Sequence, residues 1–268
     1  MKIAFFGAGK MGEAILSGLI SKGFNKNEIF VSEVFNDRLN YIKEKYEVNG
    51  SNKNIDALNF GDVIISAVKP QNLKYLSEKL KKNSFNEKIL LSIMAGIKIQ
   101  NLLDSFNVKK IVRTMPNINA QIGEAITIWT DIGLNNEERE FVKKIVSSFG
   151  EEVYVSKEDY IDIGTSISGS GPAYVFYFLN ALIDAGVYLG LSRDISEKLS
   201  VQTILGSILL KKNTKEEANK LIHSVTSPGG TTSEALYKFE ENRLKYSIMS
   251  GVIEAYKKSK ALGEPKKW

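Results

Sequence analysis

The stretch from Lys2 to Gly23 restricts the fold more than any other. Lys2 to Phe6 is a short, apolar, branched run; Gly7-Ala8-Gly9-Lys10-Met11-Gly12 follows at once, and Glu13 to Lys22 has helical spacing closed by Gly23. Strand, glycine turn and helix in this order form the phosphate cradle of dinucleotide-binding folds. Gly7 permits the tight turn, Gly9 lets the main chain approach a pyrophosphate, and Gly12 lets the helix pack on the strand with its positive end toward the phosphates. A second strand, Ile29 to Ser32, comes where such a unit needs it.

Further strand-like runs follow at Val63 to Val68, Ile89 to Ile93, Lys110 to Met115, Ala125 to Trp129 and Glu152 to Val155. Helical patterns lie between several of them, at Asp37 to Tyr46, Gln71 to Leu80 and Asn136 to Ser148. The alternation predicts an α/β, Rossmann-type, doubly wound and mainly parallel sheet, with ligands beyond the carboxyl ends of its strands. Three interruptions fall at those ends: Ala67-Val68-Lys69-Pro70, Met94-Ala95-Gly96 and Met115-Pro116-Asn117. Each can be a wall of a nicotinamide site or a plain loop. After Val155 only helical patterns remain, so residues 1–156 are expected to form the dinucleotide domain and 157–268 an all-α domain.

The helical half is organised around Ser166 to Gly190, read as one helix with Ser170 or Gly171 at its N-cap. Pro172 suits a first turn, Gly190 suits a left-handed C-terminal position, and Ala173 to Leu189 has almost no polar face. Such a helix is expected to be buried all round, with a second copy of the chain supplying part of the cover. It is no membrane span, because Asn180 and Asp184 interrupt an apolar run shorter than the ~20 residues a bilayer needs. Ser192 is expected to cap the following helix, and Thr214 with Glu217 has capping-box spacing for the next.

Composition narrows the chemistry. The 268 residues contain no cysteine and a single histidine, His223, which removes thiolate and His-based metal sites and leaves a serine triad without a convincing base. His223 is read as a structural residue at a helix end. The formal charge of +5 is spread over lysine-bearing helix faces such as Lys79 to Lys82 and Lys257 to Lys260, so nucleic acid is not an expected partner. The chain enters an apolar strand directly, without a leader pattern, which with the absence of cysteine predicts a cytoplasmic protein.

The end of the second strand bears on the cofactor. Glu33 stands where an acid can hold a free ribose 2′-OH and repel a 2′-phosphate, while Ser32 and Arg38 offer partners to a phosphate. The sequence tilts slightly toward NADH without fixing the choice. In the helical half, Val225-Thr226-Ser227-Pro228-Gly229-Gly230-Thr231-Thr232 breaks a helix that resumes at once, with Thr231 or Thr232 at its cap. Hydroxyls beside a positive helix end suit a carboxylate; a simple helix corner is the other reading.

Taken together, the glycine loop, Ala67 to Pro70, Val112-Arg113-Thr114-Met115-Pro116-Asn117, Ser168-Gly169-Ser170-Gly171-Pro172-Ala173-Tyr174 and above all Val225 to Thr232 resemble pyrroline-5-carboxylate reductase, in the right order over essentially the whole chain. The resemblance implies reduction of 1-pyrroline-5-carboxylate to L-proline by NADPH or NADH, and C-terminal helices that interleave into a homodimer, sometimes a decamer. It places the pyrophosphate on Gly7, Ala8, Gly9, Lys10, Met11 and Gly12 and the adenine ribose near Asn54. Val68, Lys69 and Pro70 would line the cofactor groove, and Ala95, Gly96 and Pro116 would flank the nicotinamide. Ser227, Gly230, Thr231 and Thr232 would receive the substrate carboxylate, with the Thr232 hydroxyl near the ring nitrogen. Asn180 departs from the glutamate that many members carry.

Hydride transfer to a cyclic imine agrees with the lack of a catalytic His, Asp or Lys constellation, since positioning supplies much of the rate and an imine nitrogen is itself basic. A hydroxyacid dehydrogenase of the same plan calls for a lysine in a G-x-x-x-N-x-x-K helix, and nothing from Gly171 onward provides one.

Overall fold

Alternate residues of the first strand go to opposite faces, and both faces are buried: Ile3 and Phe5 join one apolar cluster, Ala4 and Phe6 another. That two-sided burial is the mark of a sheet covered by helices on both sides. The computed structural model describes residues 1–80, 83, 85 and 87–263. Lys81, Lys82 and the tail ending in Trp268 lie outside the described residues.

The chain begins β1 (Ile3–Phe6), α1 (Lys10–Ser21), β2 (Ile29–Ser32), α2 (Asn36–Tyr46), β3 (Asn49–Ser51), α3 (Asn54–Phe60) and β4 (Val63–Ser66). It continues through α4 (Leu73–Leu80), β5 (Ile89–Ser92), α5 (Ile99–Phe106), β6 (Lys110–Met115), β7 (Ala125–Ile132), α6 (Asn136–Val146) and β8 (Gly150–Tyr154). The eight strands lie in the order β3-β2-β1-β4-β5-β6-β7-β8. All neighbours are parallel except β6 and β7, where Ile111 faces Ile132 and Met115 faces Ile128. The order reverses between β1 and β4, which makes the topological switch point where α/β sheets hold ligands. A capping box, Asn135 with Glu138, starts α6.

The helical half comprises α7 (Asp159–Gly164), a π-helical turn at Thr165–Gly169, α8 (Gly171–Tyr188), α9 (Arg193–Thr214), α10 (Ala218–Ser224), α11 (Thr231–Glu241) and α12 (Leu244–Gly263). Contacts group the chain into two units: Met1–Ser170 with the residues from Ala255 onward, and Gly171–Glu254. Thus α7 and the end of α12 pack with the sheet. Ser192 caps α9, its hydroxyl accepting from the Ile195 amide at 3.4 Å. Thr214 does not cap α10: α9 runs through Thr214, the left-handed Lys215 ends it, and Glu217 is the N-cap, without a side-chain bond. Gly230, rather than Thr231 or Thr232, is the N-cap of α11.

Within one chain α8 is far from enclosed. Ile183 is its one buried residue, while Tyr177 and Tyr188 are 83% and 91% exposed. Five helices in one unit give it a packing partner in α9 but no cover on its other faces. The all-round burial expected from the sequence is thus not met within one chain.

Candidate active site

The glycine turn closes β1 onto the start of α1. Gly7 has φ +89 and its amide donates to the Ser32 carbonyl at 2.8 Å. Gly9 is the N-cap of α1, with no side-chain bond, and a Cβ there would meet nothing within 4 Å. The first amides of α1, around Lys10 and Met11, therefore face open space with the positive helix end behind them. Gly12 is the opposite case: a Cβ would lie 2.7 Å from the Gly7 carbonyl oxygen and 3.2 Å from the Ala67 Cβ. Val68 comes to the same turn, its Cγ1 being 3.3 Å from the Cβ position of Gly7. Lys69 is exposed and Pro70 opens a short 3-10 turn behind it.

At the end of β2, Glu33 is turned inward. Its Oε2 accepts from the Ala8 amide at 2.9 Å and its Oε1 from the Phe35 amide at 3.2 Å. The Ser32 hydroxyl lies 2.6 Å from the Asn54 side-chain amide and donates to the Phe5 carbonyl at 2.9 Å, so Asn54, the first residue of α3, is held beside the β2 end. Arg38 donates its Nε to the Ala8 carbonyl at 2.8 Å and pairs with Glu13. Glu13 also accepts from Tyr41, Lys45 and Tyr46. Partial burial works against its charge, but the bonds from Lys45, Arg38, Tyr46 and Tyr41 outweigh it and hold the carboxyl at about 2, against an ordinary 4.5. The glycine loop is thus fastened at the Ala8 amide from Glu33, just after β2, and at the Ala8 carbonyl from Arg38 on α2.

The other strand ends fall beside the switch point. Ala95 and Gly96 form the turn between β5 and α5; Gly96 has φ +75, and its missing side chain makes room for Leu262, whose Cβ would lie 2.7 Å from a Cβ on Gly96. Pro116 is buried just after β6, and the Asn117 side chain donates to the Ser168 carbonyl at 3.2 Å. Among the described residues, the buried side-chain polar atoms without a partner are Ser66 Oγ, Asn117 Oδ1 and Thr127 Oγ1. Two of these three stand at the carboxyl ends of β4 and β6, where a nucleotide's polar groups would meet them. Together with the open amides of α1, they fit a dinucleotide. Among the described residues no group of acidic or histidine side chains could hold a metal ion.

In the helical unit, Ser227-Pro228-Gly229-Gly230 is a tight turn. The Gly230 amide donates to the Ser227 carbonyl at 3.0 Å, and Gly229 has φ +67 at the position where a type II turn demands a positive value. Ser227 stands against Gly230. With no side-chain cap on α11, the amides of Thr231, Thr232 and Ser233 meet no acceptor in the helix. Ser227, Gly230, Thr231 and Thr232 are thus collected at one positive helix end. His223 lies exposed in the last turn of α10.

Ser66 and the pairing of Glu13 with Arg38 were not signalled by the sequence. A lone serine and two charges 25 residues apart carry no spacing signature; the sheet brings them to the site.

A Rossmann sheet with an open glycine turn at its switch point is the plan of a dinucleotide-dependent oxidoreductase. A family model described as pyrroline-5-carboxylate reductase dimerisation matches residues 158–262, and one described as NADP oxidoreductase, coenzyme F420-dependent, matches residues 2–96. The chain is 37% identical to the pyrroline-5-carboxylate reductase of Synechocystis over 98% of its own length and 99% of that protein. A solved pyrroline-5-carboxylate reductase from Coxiella burnetii is 30% identical and superposes with a TM-score of 0.91, over 98% of this chain and 99% of the other. The Plasmodium falciparum pyrroline carboxylate reductase, solved with NADP bound, is 34% identical with a TM-score of 0.84, over 98% of each chain. The chain belongs to the pyrroline-5-carboxylate reductase family and is an NAD(P)H-dependent reductase that assembles with copies of itself.

Proposed function

We propose that this chain reduces the C=N bond of 1-pyrroline-5-carboxylate to give L-proline, the last step of proline synthesis. The observation that carries the reading is the uncapped start of α11 beside Ser227, an anion site in a chain that matches these reductases from end to end. Bound NADH or NADPH supplies the hydride. Gly7 to Gly12 hold the pyrophosphate on the first amides of α1, and Asn54 approaches the adenine ribose. Val68, Lys69 and Pro70 line the groove, and Ala95, Gly96 and Pro116 flank the nicotinamide.

The substrate carboxylate rests on the amides of Thr231 and Thr232, with the Ser227 hydroxyl, while Gly230 keeps the approach free of a side chain. Thr232 directs its hydroxyl to the ring nitrogen and holds the proton there as the carbon accepts hydride. A dedicated strong acid is unnecessary, because the imine is basic enough to carry the proton itself. Residues 1–156 are the cofactor domain and 157–268 the substrate and dimerisation domain, a division supported by the dimerisation match over 158–262. The functional assembly is a homodimer through the helical half, open to further assembly into a decamer, in the cytoplasm. Among the described residues no helix is long and apolar enough to cross a membrane.

Steady-state oxidation of NADH and NADPH in the presence of 1-pyrroline-5-carboxylate, with the product identified as proline, tests the activity. Thr232→Ala should lower kcat/KM by about 10- to 100-fold, the scale of one charge-directed hydrogen bond in a transition state. An unchanged kcat/KM would remove Thr232 from the mechanism.

A further inference from the structure

We infer that this chain selects NADH over NADPH, through the turn between β2 and α2. The inference rests on the dinucleotide reading and adds which cofactor is taken and by what means. Two features of the turn, the Glu33 carboxylate and the engagement of Arg38, carry it, and a third, an apolar pair, adds no partner for a phosphate.

The first is the Glu33 carboxylate. It is 8% exposed and fixed by the Ala8 and Phe35 amides at 2.9 and 3.2 Å, so it cannot swing away to admit a second anion. In this fold the acid at the end of the second strand meets the ribose 2′-hydroxyl, and a 2′-phosphate placed there would confront a negative charge in a site largely withdrawn from water. Its hold on Ala8 also makes it part of the pyrophosphate turn, so the loop cannot relax without breaking that bond.

The second is that the turn itself offers no cation. Residues 33–37 read Glu-Val-Phe-Asn-Asp, with two acids and no lysine, arginine or hydroxyl. Arg38, the nearest candidate, has its Nε on the Ala8 carbonyl at 2.8 Å and its terminal nitrogen on Glu13, which also engages Lys45. An NADPH site needs such a guanidinium turned toward the phosphate. Here it is turned to the loop.

The third is Val34 and Phe35, which are 57% and 72% exposed although both are large and apolar. They sit immediately beyond Glu33, where a nucleotide extending from the glycine turn would place its adenine. An apolar pair gives the base a surface to lie on and gives a phosphate nothing.

The experiment is isothermal titration of the native full-length chain, without substrate, with NADH and with NADPH. The expected Kd for NADPH is about tenfold or more above that for NADH, the scale of one unfavourable charge contact at intermediate dielectric. Phe35→Arg alters an exposed side chain and should tighten NADPH about fivefold or more by adding a phosphate partner, leaving thermal stability unchanged. Glu33→Ser should narrow the NADH:NADPH ratio in the same direction. NADPH binding as tightly as NADH, or more tightly, would overturn the inference while leaving the reductase reading intact. Binding of neither would overturn both the inference and the dinucleotide reading. NADH selectivity without turnover of 1-pyrroline-5-carboxylate would uphold the inference and sink the substrate assignment alone.

Discussion

Gly12 shows how much one missing methyl decides. The Gly7 carbonyl would lie 2.7 Å from a Cβ at this position, so α1 approaches β1 only because nothing stands between them. Gly12→Ala must push the helix start away from the turn, which costs about 1–3 kcal/mol of stability as overpacking and misplaces the amides meant for phosphate. A lower melting temperature and weaker NADH binding, read by calorimetry, are the expected outcome; Gly9→Ala, which meets no atom within 4 Å, should leave stability nearly unchanged while still weakening binding by crowding the ligand. Glu13, the next residue along, makes a pH prediction. Its carboxyl is held at about 2 in the folded chain against an ordinary 4.5, so the fold binds fewer protons at this group than the unfolded chain does. Its contribution is fully present above about pH 4.5 and is lost as pH falls toward 2. Urea unfolding of native chain and Glu13→Gln should differ most near neutrality and converge toward the acid end. A constant difference across that range would show that the carboxylate's charge is not what Glu13 contributes.

At the level of elements, a buried arginine joins the turns beside the switch point. Arg113 on β6 is 2% exposed and pairs with Glu158 and Asp162, each at 2.8 Å. The same Glu158 oxygen accepts from the Ile99 amide at the start of α5, and Asp162 accepts from Ser259 on α12 at 2.9 Å. One guanidinium therefore ties β6, α5, α7 and the end of α12, and that end packs on Gly96. Arg113→Ala leaves two carboxylates without their cation, one of them buried, and should cost about 3–5 kcal/mol. Arg113→Lys keeps the charge without the fork and should recover part of this loss, by chemical denaturation. The network was not legible in the sequence, because its bonded partners lie up to 97 residues apart and none of them carries a spacing signature. The elements themselves were more legible. Strands with β-branched runs and helices with long periodic faces stand close to their expected bounds, and the glycine turn is local chemistry that needs no context. The short α3 and α5, of seven and eight residues, and the three-residue β3 were not read from the sequence. The antiparallel pairing of β7 depends on how the 3-10 turn at Ile118–Ile122 returns the chain, which strand composition does not encode.

For the whole molecule the informative feature is what one chain leaves uncovered. On α8, Val175, Phe176, Tyr177, Val187 and Tyr188 are 40–91% exposed, and α9 adds Leu199, Leu205 and Ile208. So much apolar surface on neighbouring helices is far beyond the scattered exposure normal for a monomer. The sequence signalled a helix without a wet side; it could not say whether its own chain or a copy would cover it, because both leave the same apolar pattern. The structure of one chain shows that the chain itself leaves this face uncovered, and the dimerisation match over 158–262 supports assembly with a copy. Phe176→Asp and Tyr177→Asp alter side chains that are 58% and 83% exposed in the single chain, so each should change the stability of an isolated chain by no more than about 0.5 kcal/mol. In the assembly each places an unpaired carboxylate in an apolar interface, where the cost is several kcal/mol. Sedimentation should then show the mass of one chain where the native protein shows two or more, and the melting temperature of the native protein, but not of the variants, should rise with concentration. If both variants keep the native mass, α8 is not where the copies meet, and its apolar face must be covered in some other way.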